Sequence, residues 1–379
     1  MFWWIIAITF CSPSLIIVDN IHFQYNGLLF GIQILSLSYA QENKLLLSGI
    51  MFAILLNFKH IYLYAAPAYF LFLLYHYCIH KQHFSTSKFL KLGSCVIIAF
   101  LISFLPFVLY SQILDPKPHI SSQVKQILSR MFPFERGLTH AYWAPNFWAI
   151  YNFIDKMLVG FAKVILKKEF IGASSFSGGL VGLNQGSHAV LPSVSPGATI
   201  ILSGVTATIS CILVLYKKKR SSDSGRTLIE CVVNSSFAFF LFGWHVHEKA
   251  VIMMLVPMGL LIVKGSNLCR TQLKWFSFAS IVGCYSLFPL LYQPMVIPIR
   301  WMLLLVHIFM LLTFWSRFGS GHIFNKFETL YLYGLIIIEI YSVFINNLIL
   351  PQLPFLPLMI TSVYCSLGII HTYIKMILI

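Results

Sequence analysis

The stretch Phe242-Gly243-Trp244-His245-Val246-His247-Glu248-Lys249 sets two histidines, a glutamate and a lysine between apolar runs. Only 10% of the chain is charged, and ionisable groups at the edge of a hydrocarbon layer are costly, so such a cluster is read as functional. The residue types name the chemistry. His247 and Lys249 can meet a phosphate while Glu248 orients one of them, with His245 alongside. A metal is the competing chemistry, but His245-Val246-His247 does not match HExxH, and on a helix two residues apart the rings point to different sides. A water-facing loop that only sets topology is the bland alternative.

Three further polar groups break otherwise apolar sequence. Asp19, His22, Gln24 and Asn26 lie in one short turn, where they could hydrogen-bond sugar hydroxyls or position a reacting group. Their alternative is capping of the next helix by Asp19 and Asn20, with Gln24 and Asn26 bonding between helices. Lys59, beside His60, could hold a phosphate or snorkel to headgroups. Arg136, next to Glu135, offers a guanidinium fork that matches phosphate or pairs with a loop acid. Tyr142, Trp143 and Trp148 could stack on sugar faces or form an interfacial belt.

The elements that position these groups follow from composition. The chain has 379 residues, 58% of them hydrophobic, with 34 Phe. Apolar stretches long enough to cross hydrocarbon recur from end to end, so an all-α, polytopic integral membrane protein with about twelve transmembrane helices is expected. The expected spans are 2–18, 23–40, 45–58, 60–79, 92–110, 197–216, 227–244, 249–264, 275–292, 295–315, 329–349 and 354–374. They divide the chain into a first bundle of five helices over 1–110, a long loop over 111–196 and a second bundle of seven over 197–379. Within the loop, apolar residues from Ala149 to Lys168 recur at helical spacing with lysines elsewhere, which reads as an interfacial helix. The net charge of +15 reflects topology rather than nucleic acid: Lys44, Lys81, Lys88, Lys91, Lys217, Lys218, Lys219, Arg220, Arg226, Lys264, Arg270, Lys274, Arg317, Lys326 and Lys375 fall on one face. That face is cytoplasmic, as are both termini, and the polar turns emerge on the lumenal or extracellular side. Eight cysteines are scattered without CxxC spacing, and no metal or nucleotide signature appears, so no cofactor is expected.

Taken in order, Asp19–Gly27, Asn57–Tyr69, Arg130–Leu138, His140–Asn152 and Phe242–Ala250 resemble one family. It is the endoplasmic-reticulum dolichyl-phosphate-glucose-dependent α-1,3-glucosyltransferases of the GT-C class, which extend the lipid-linked N-glycan precursor. His140–Ala149 and Trp244–Lys249 are more similar to the enzyme that adds the second glucose than to the one that adds the first. The resemblance implies a lumenal site and a reaction with inversion. Glucose would pass from dolichyl phosphate glucose to the terminal glucose of a monoglucosylated dolichyl-diphosphate oligosaccharide. It implies fourteen helices, with an acidic base in an Asp-Tyr-Pro-Pro-Phe-like segment between the first two. This sequence matches from the family's third helix onward, and Asp19 remains in a motif where Asn20 replaces a histidine. Phosphate contacts are expected from His247 and Lys249, with Lys59 and Arg136 in support, and His245 and Glu248 complete the substrate-binding set. Sugar contacts are expected from His22, Gln24 and Asn26, and Asp19 is the candidate base. A lipid or solute transporter, or a catalytically inactive shortened relative, is the competing reading. A transporter would set its ionisable groups near mid-membrane in repeated halves.

Overall fold

The computed structural model describes residues 1–80, 83–114, 120–131, 137–140, 143–165, 188–218, 224–264 and 267–378. Fourteen helical segments follow one another along the described chain: α1 Phe2–Ile21, α2 Asn26–Gln41, α3 Leu45–Phe58, α4 His60–Cys78, α5 Thr86–Leu114, α6 Ile120–Met131 and α7 Phe147–Ile165. After these come α8 Pro196–Lys217, α9 Ser224–Phe242, α10 Ile252–Leu260, α11 Arg270–Leu290, α12 Pro294–Phe318, α13 Lys326–Ile349 and α14 Leu356–Leu378. Extended pairing among the described residues is slight: two antiparallel two-residue ladders, Ile79–His80 with His83–Phe84 and Val263–Lys264 with Asn267–Leu268, and an isolated parallel bridge between Thr139 and Val246. This is an all-α polytopic membrane protein.

Nine of the described helices, α1, α4, α5, α8, α9, α11, α12, α13 and α14, are long and apolar enough to cross a membrane. The twelve expected spans are not all matched by that measure. Helices α2 and α3 have 16 and 14 residues, short of the roughly 20 that hydrocarbon requires. The segment expected at 249–264 is the nine-residue α10, preceded by a 3-10 turn at Glu248–Val251.

The chain divides into two compact units. The first comprises Met1–Gln24, Gly137–Gly204 and Phe237–Ile379. Its core is aromatic, with Phe237, Phe276, Phe278, Phe288 and Phe314 nearly inaccessible. Gly259 on α10 lies against Thr9 on α1 with no room for a Cβ, the close approach that small residues allow between membrane helices. An ion pair sits inside this unit. Arg300 of α12 pairs with Glu339 of α13, both 6% exposed. Tyr285 Oη donates to the same carboxylate at 3.2 Å, as does Trp301 Nε1 at 3.2 Å, and Arg300 donates to the Phe288 and Leu291 carbonyls.

Helix α7 belongs to the first unit. It buries Trp148, Ala149, Asn152 and Asp155 while Ile154, Met157, Phe161 and Val164 point outward. Its apolar face is therefore the exposed one, as suits a helix lying on a membrane surface. Ser362 Oγ of α14 donates to the Trp143 carbonyl at 2.8 Å.

The second unit comprises Tyr25–Arg136 and Val205–Ser236. Helices α2 and α3 form a hairpin whose turn uses Asn43 at φ 58°, a conformation that Asn tolerates. Ser36 Oγ donates to the Ser48 carbonyl at 2.7 Å, Tyr69 Oη donates to Ser36 at 2.9 Å, and Tyr69 stacks on Phe52 at 3.8 Å. At the other end of α9, Glu230 accepts from Lys218 and Arg226 at 3.2 and 3.3 Å.

Candidate functional site

Helix α9 stops at Phe242 because Gly243 turns the chain: a Cβ there would lie 2.5 Å from the Phe239 carbonyl oxygen. His245 follows with φ 50°, a left-handed backbone uncommon for a non-glycine residue and concentrated at functional loops. The turn is held from outside by the segment Gly137–His140. His245 N donates to the Leu138 carbonyl at 2.9 Å, the His245 ring approaches the Gly137 carbonyl at 2.7 Å, and Thr139 pairs in parallel with Val246. Asn146 and Trp148 donate to the Phe240 and Gly243 carbonyls at 3.2 and 3.0 Å, satisfying the end of α9.

Glu248 is the buried centre of this arrangement, 2% exposed. Its Oε1 lies 2.8 Å from His247 Nδ1 and its Oε2 lies 3.6 Å from His140 Nδ1. Neither approach has hydrogen-bond geometry. Burial by itself would push the Glu248 carboxyl up, but the imidazoles of His140 and His247 outweigh it and hold the carboxyl at about 2. The acid is therefore a carboxylate at neutral pH, flanked by two rings whose centroids lie 4.0 Å apart. His245 lies edge-on to His140 at 5.5 Å. Lys249 completes the turn, its backbone N–H donating to His247 Nδ1 at 3.4 Å.

His22 reaches the same neighbourhood from the end of α1. Burial lowers its pKa first, and the charges of Lys249 and His247 lower it further against the opposing pull of Glu248. A ring kept neutral in this way suits hydrogen bonding to hydroxyls better than pairing with phosphate. Its Nε2 is buried without a hydrogen-bond partner.

The sequence model of the ALG6, ALG8 glycosyltransferase family matches residues 2–376. The chain belongs to that family. It is 40% identical to the dolichyl pyrophosphate Glc1Man9GlcNAc2 alpha-1,3-glucosyltransferase of Arabidopsis thaliana, over 98% of this chain and 72% of that protein. The proteins of the same name from Dictyostelium discoideum and Mus musculus are each 38% identical, over 97% and 96% of this chain. The aligned portions make up 65% and 68% of those two proteins.

In this ALG6, ALG8 family member the expected residues therefore fall into separate groups. His245, His247, Glu248, Lys249 and His22 come together in the first unit. Asp19 and Gln24 lie beside His22, with Gln24 N donating to the Asp19 carbonyl at 3.1 Å across a π-helical turn. The capping alternative for Asp19 and Asn20 fails, because α2 starts only at Asn26 and has no side-chain cap. Asn26 and Lys59 belong to the second unit, where Lys59 Nζ donates to Asn26 Oδ1 at 2.8 Å and sits 5.4 Å over the Tyr25 ring. Arg136, Glu135 and Tyr142 lie outside the described residues. Trp143 and Trp148 do not form a sugar platform or an interfacial belt: they are 8% and 4% exposed and pack inward.

One member of the cluster was not singled out by residue spacing. His140 comes from a different part of the chain, one hundred residues before the turn, and it supplies the second imidazole at Glu248. Its sequence signal was its place at the head of the aromatic run that follows. It also changes the metal argument. One ring nitrogen each of His140 and His247 and a Glu248 oxygen all lie within 4.8 Å of one another, so donors of the right type meet without His245. A Zn²⁺ ion bonded at about 2.0–2.1 Å would require them to draw closer than that.

Proposed function

We propose that this chain transfers glucose from dolichyl phosphate glucose to the terminal glucose of a monoglucosylated dolichyl-diphosphate oligosaccharide, making an α-1,3 linkage with inversion. The reaction takes place at the lumenal face of the endoplasmic-reticulum membrane, with both termini of this chain cytoplasmic. Family membership and the substrate named for its relatives support this reading. The observation that carries it is the turn at Trp244–Lys249, where His247 and His140 flank one buried carboxylate, with His245, Lys249 and His22 close by.

In a single displacement the acceptor hydroxyl oxygen bonds to the anomeric carbon as the bond from that carbon to the phosphate oxygen breaks. The electron pair leaves with dolichyl phosphate, and the hydroxyl proton passes to a base. Charge develops on the phosphate, so preorganised cations there lower the barrier. His247 and Lys249 hold that phosphate, with His245 beside them. Glu248 stays ionised and is the fixed counter-charge that keeps His247 in place. His22 and Gln24 line the sugar side, and Asp19, at the same end of α1, is the base that this chain offers.

The test is glucose transfer by the purified chain in lipid nanodiscs, comparing the unaltered protein with Lys249→Ala. A donor kcat/KM lower by about 10- to 100-fold, the cost of one charge-assisted hydrogen bond, is the expected result. Unchanged donor kinetics would remove Lys249 from the phosphate. Activity that EDTA abolishes and zinc restores would instead assign the His140, His247 and Glu248 triad to a metal.

A further inference from the structure

The segment Gly137–His140 has more structure behind it than a linker needs. Asn152 of α7 is fully buried and donates from Nδ2 to Thr139 Oγ1 at 3.3 Å, while its Oδ1 meets His188 Nε2 at 3.0 Å. One turn further on, the fully buried Asp155 accepts the backbone N–H groups of Ala189, Val190 and Leu191 at 3.1, 2.9 and 2.7 Å. Tyr151 Oη donates to the Pro192 carbonyl at 2.8 Å. The polar face of α7 thus clasps residues 188–192 on one side and fixes Thr139 on the other. Thr139 is in turn paired with Val246 of the site turn.

The residue delivered by this clasp is His140. Its side chain is 23% exposed, its Nδ1 faces Glu248, and its ring lies over His247. With Nδ1 on the carboxylate side, the other ring nitrogen, Nε2, lies on the far edge of the imidazole. The buried, ionised Glu248 carboxylate thus has an imidazole beside each of its oxygens. The second ring adds a further nitrogen to a site whose ligand gains negative charge as the reaction proceeds.

We infer that His140 is a further ligand of the donor phosphate, paired with His247 across Glu248 and positioned through Thr139 by Asn152 and Asp155. The inference rests on the phosphate reading of the Trp244–Lys249 turn. His140 acts from Nε2 on the phosphate, and its Nδ1 keeps the carboxylate between the two rings.

His140→Asn tests it, because the Asn amide nitrogen takes the place of Nδ1 and nothing replaces Nε2. In nanodiscs, with dolichyl phosphate glucose and the monoglucosylated acceptor, the variant is expected to lose about 10- to 100-fold in donor kcat/KM. Its acceptor KM and thermal unfolding midpoint should stay near those of the unaltered chain. Wild-type donor kinetics in His140→Asn, with Lys249→Ala still impaired, would overturn the inference: His140 would then only hold Glu248. Wild-type kinetics in both variants would overturn the phosphate reading as well. If the Asn variant does not fold, His140→Gln, which places its amide near Nε2, decides the matter against His140→Ala. Better donor use by the Gln variant supports a phosphate contact, and equal use by the two overturns it.

Discussion

Replacing Glu248 by Gln removes one charge from the centre of the cluster and almost none of its volume. The carboxyl titrates at about 2 in the folded chain, against an ordinary value of 4.5. Because the folded value is depressed, the ionised group contributes stability that is complete above the unfolded pKa and is lost as pH falls through the folded one. At 1.36 kcal/mol for each unit, the shift amounts to about 3 kcal/mol at pH 7. By linkage it falls to less than half of that by pH 3 and disappears below about pH 2. The groups facing the carboxylate are His140, His247, His22 and Lys249; all remain in the variant, so the difference between the two proteins isolates Glu248. Thermal unfolding followed by tryptophan fluorescence, on both proteins in nanodiscs between pH 7 and pH 3, reads that difference. Glu248→Gln should be less stable at pH 7, and the gap should close as the pH drops. A gap that stays constant with pH would refute the reasoning, since it would make the loss one of packing rather than charge.

Arg300→Met should cost about 3–5 kcal/mol by leaving Glu339 buried and uncompensated. Adding Glu339→Gln should recover part of that, and a single variant within about 1 kcal/mol of the parent in thermal unfolding would show the pair to be dispensable. Asp155→Ala should cost about 3 kcal/mol, because three backbone N–H groups lose a charged, buried acceptor. Burial alone would raise the Asp155 carboxyl, but these three donors lower it, so its contribution is present at neutral pH and fades as pH falls through its depressed value. Limited proteolysis on the 188–192 side should accelerate in that variant, and unchanged cleavage would count against the clasp.

Much of this protein is legible in its sequence because the solvent is hydrocarbon. Every backbone group in a bilayer must be satisfied within its own segment, so long apolar runs become helices without help from distant residues. The all-α membrane architecture and most span positions follow from that local rule. The chemistry of the 242–249 turn was legible for a similar reason: charge is scarce in such a chain, and a cluster of it stands out. The local rule fails where a segment is short. Helices α2, α3 and α10 carry span-like composition but are settled by packing, and α1 is broken by Pro13 before it ends in a π-helical turn.

Only the tertiary structure decided which polar groups meet. Reading along the chain sets Asn26 with His22 and Gln24, yet Asn26 pairs with Lys59 in the other unit. Arg300 and Glu339, on separate helices, become one ion pair. Trp143 and Trp148, which composition offers as surface aromatics, are consumed by packing against the end of α9 and by α14. His140 shows the reason most directly. Its partners Glu248 and His247 lie more than one hundred residues away, and the contact is set by a parallel pairing of Thr139 with Val246 and by Asn152 behind it. Helical periodicity reports which face of one element is apolar. It carries no information about which two faces are brought together, and in this chain the candidate site is made by such a meeting.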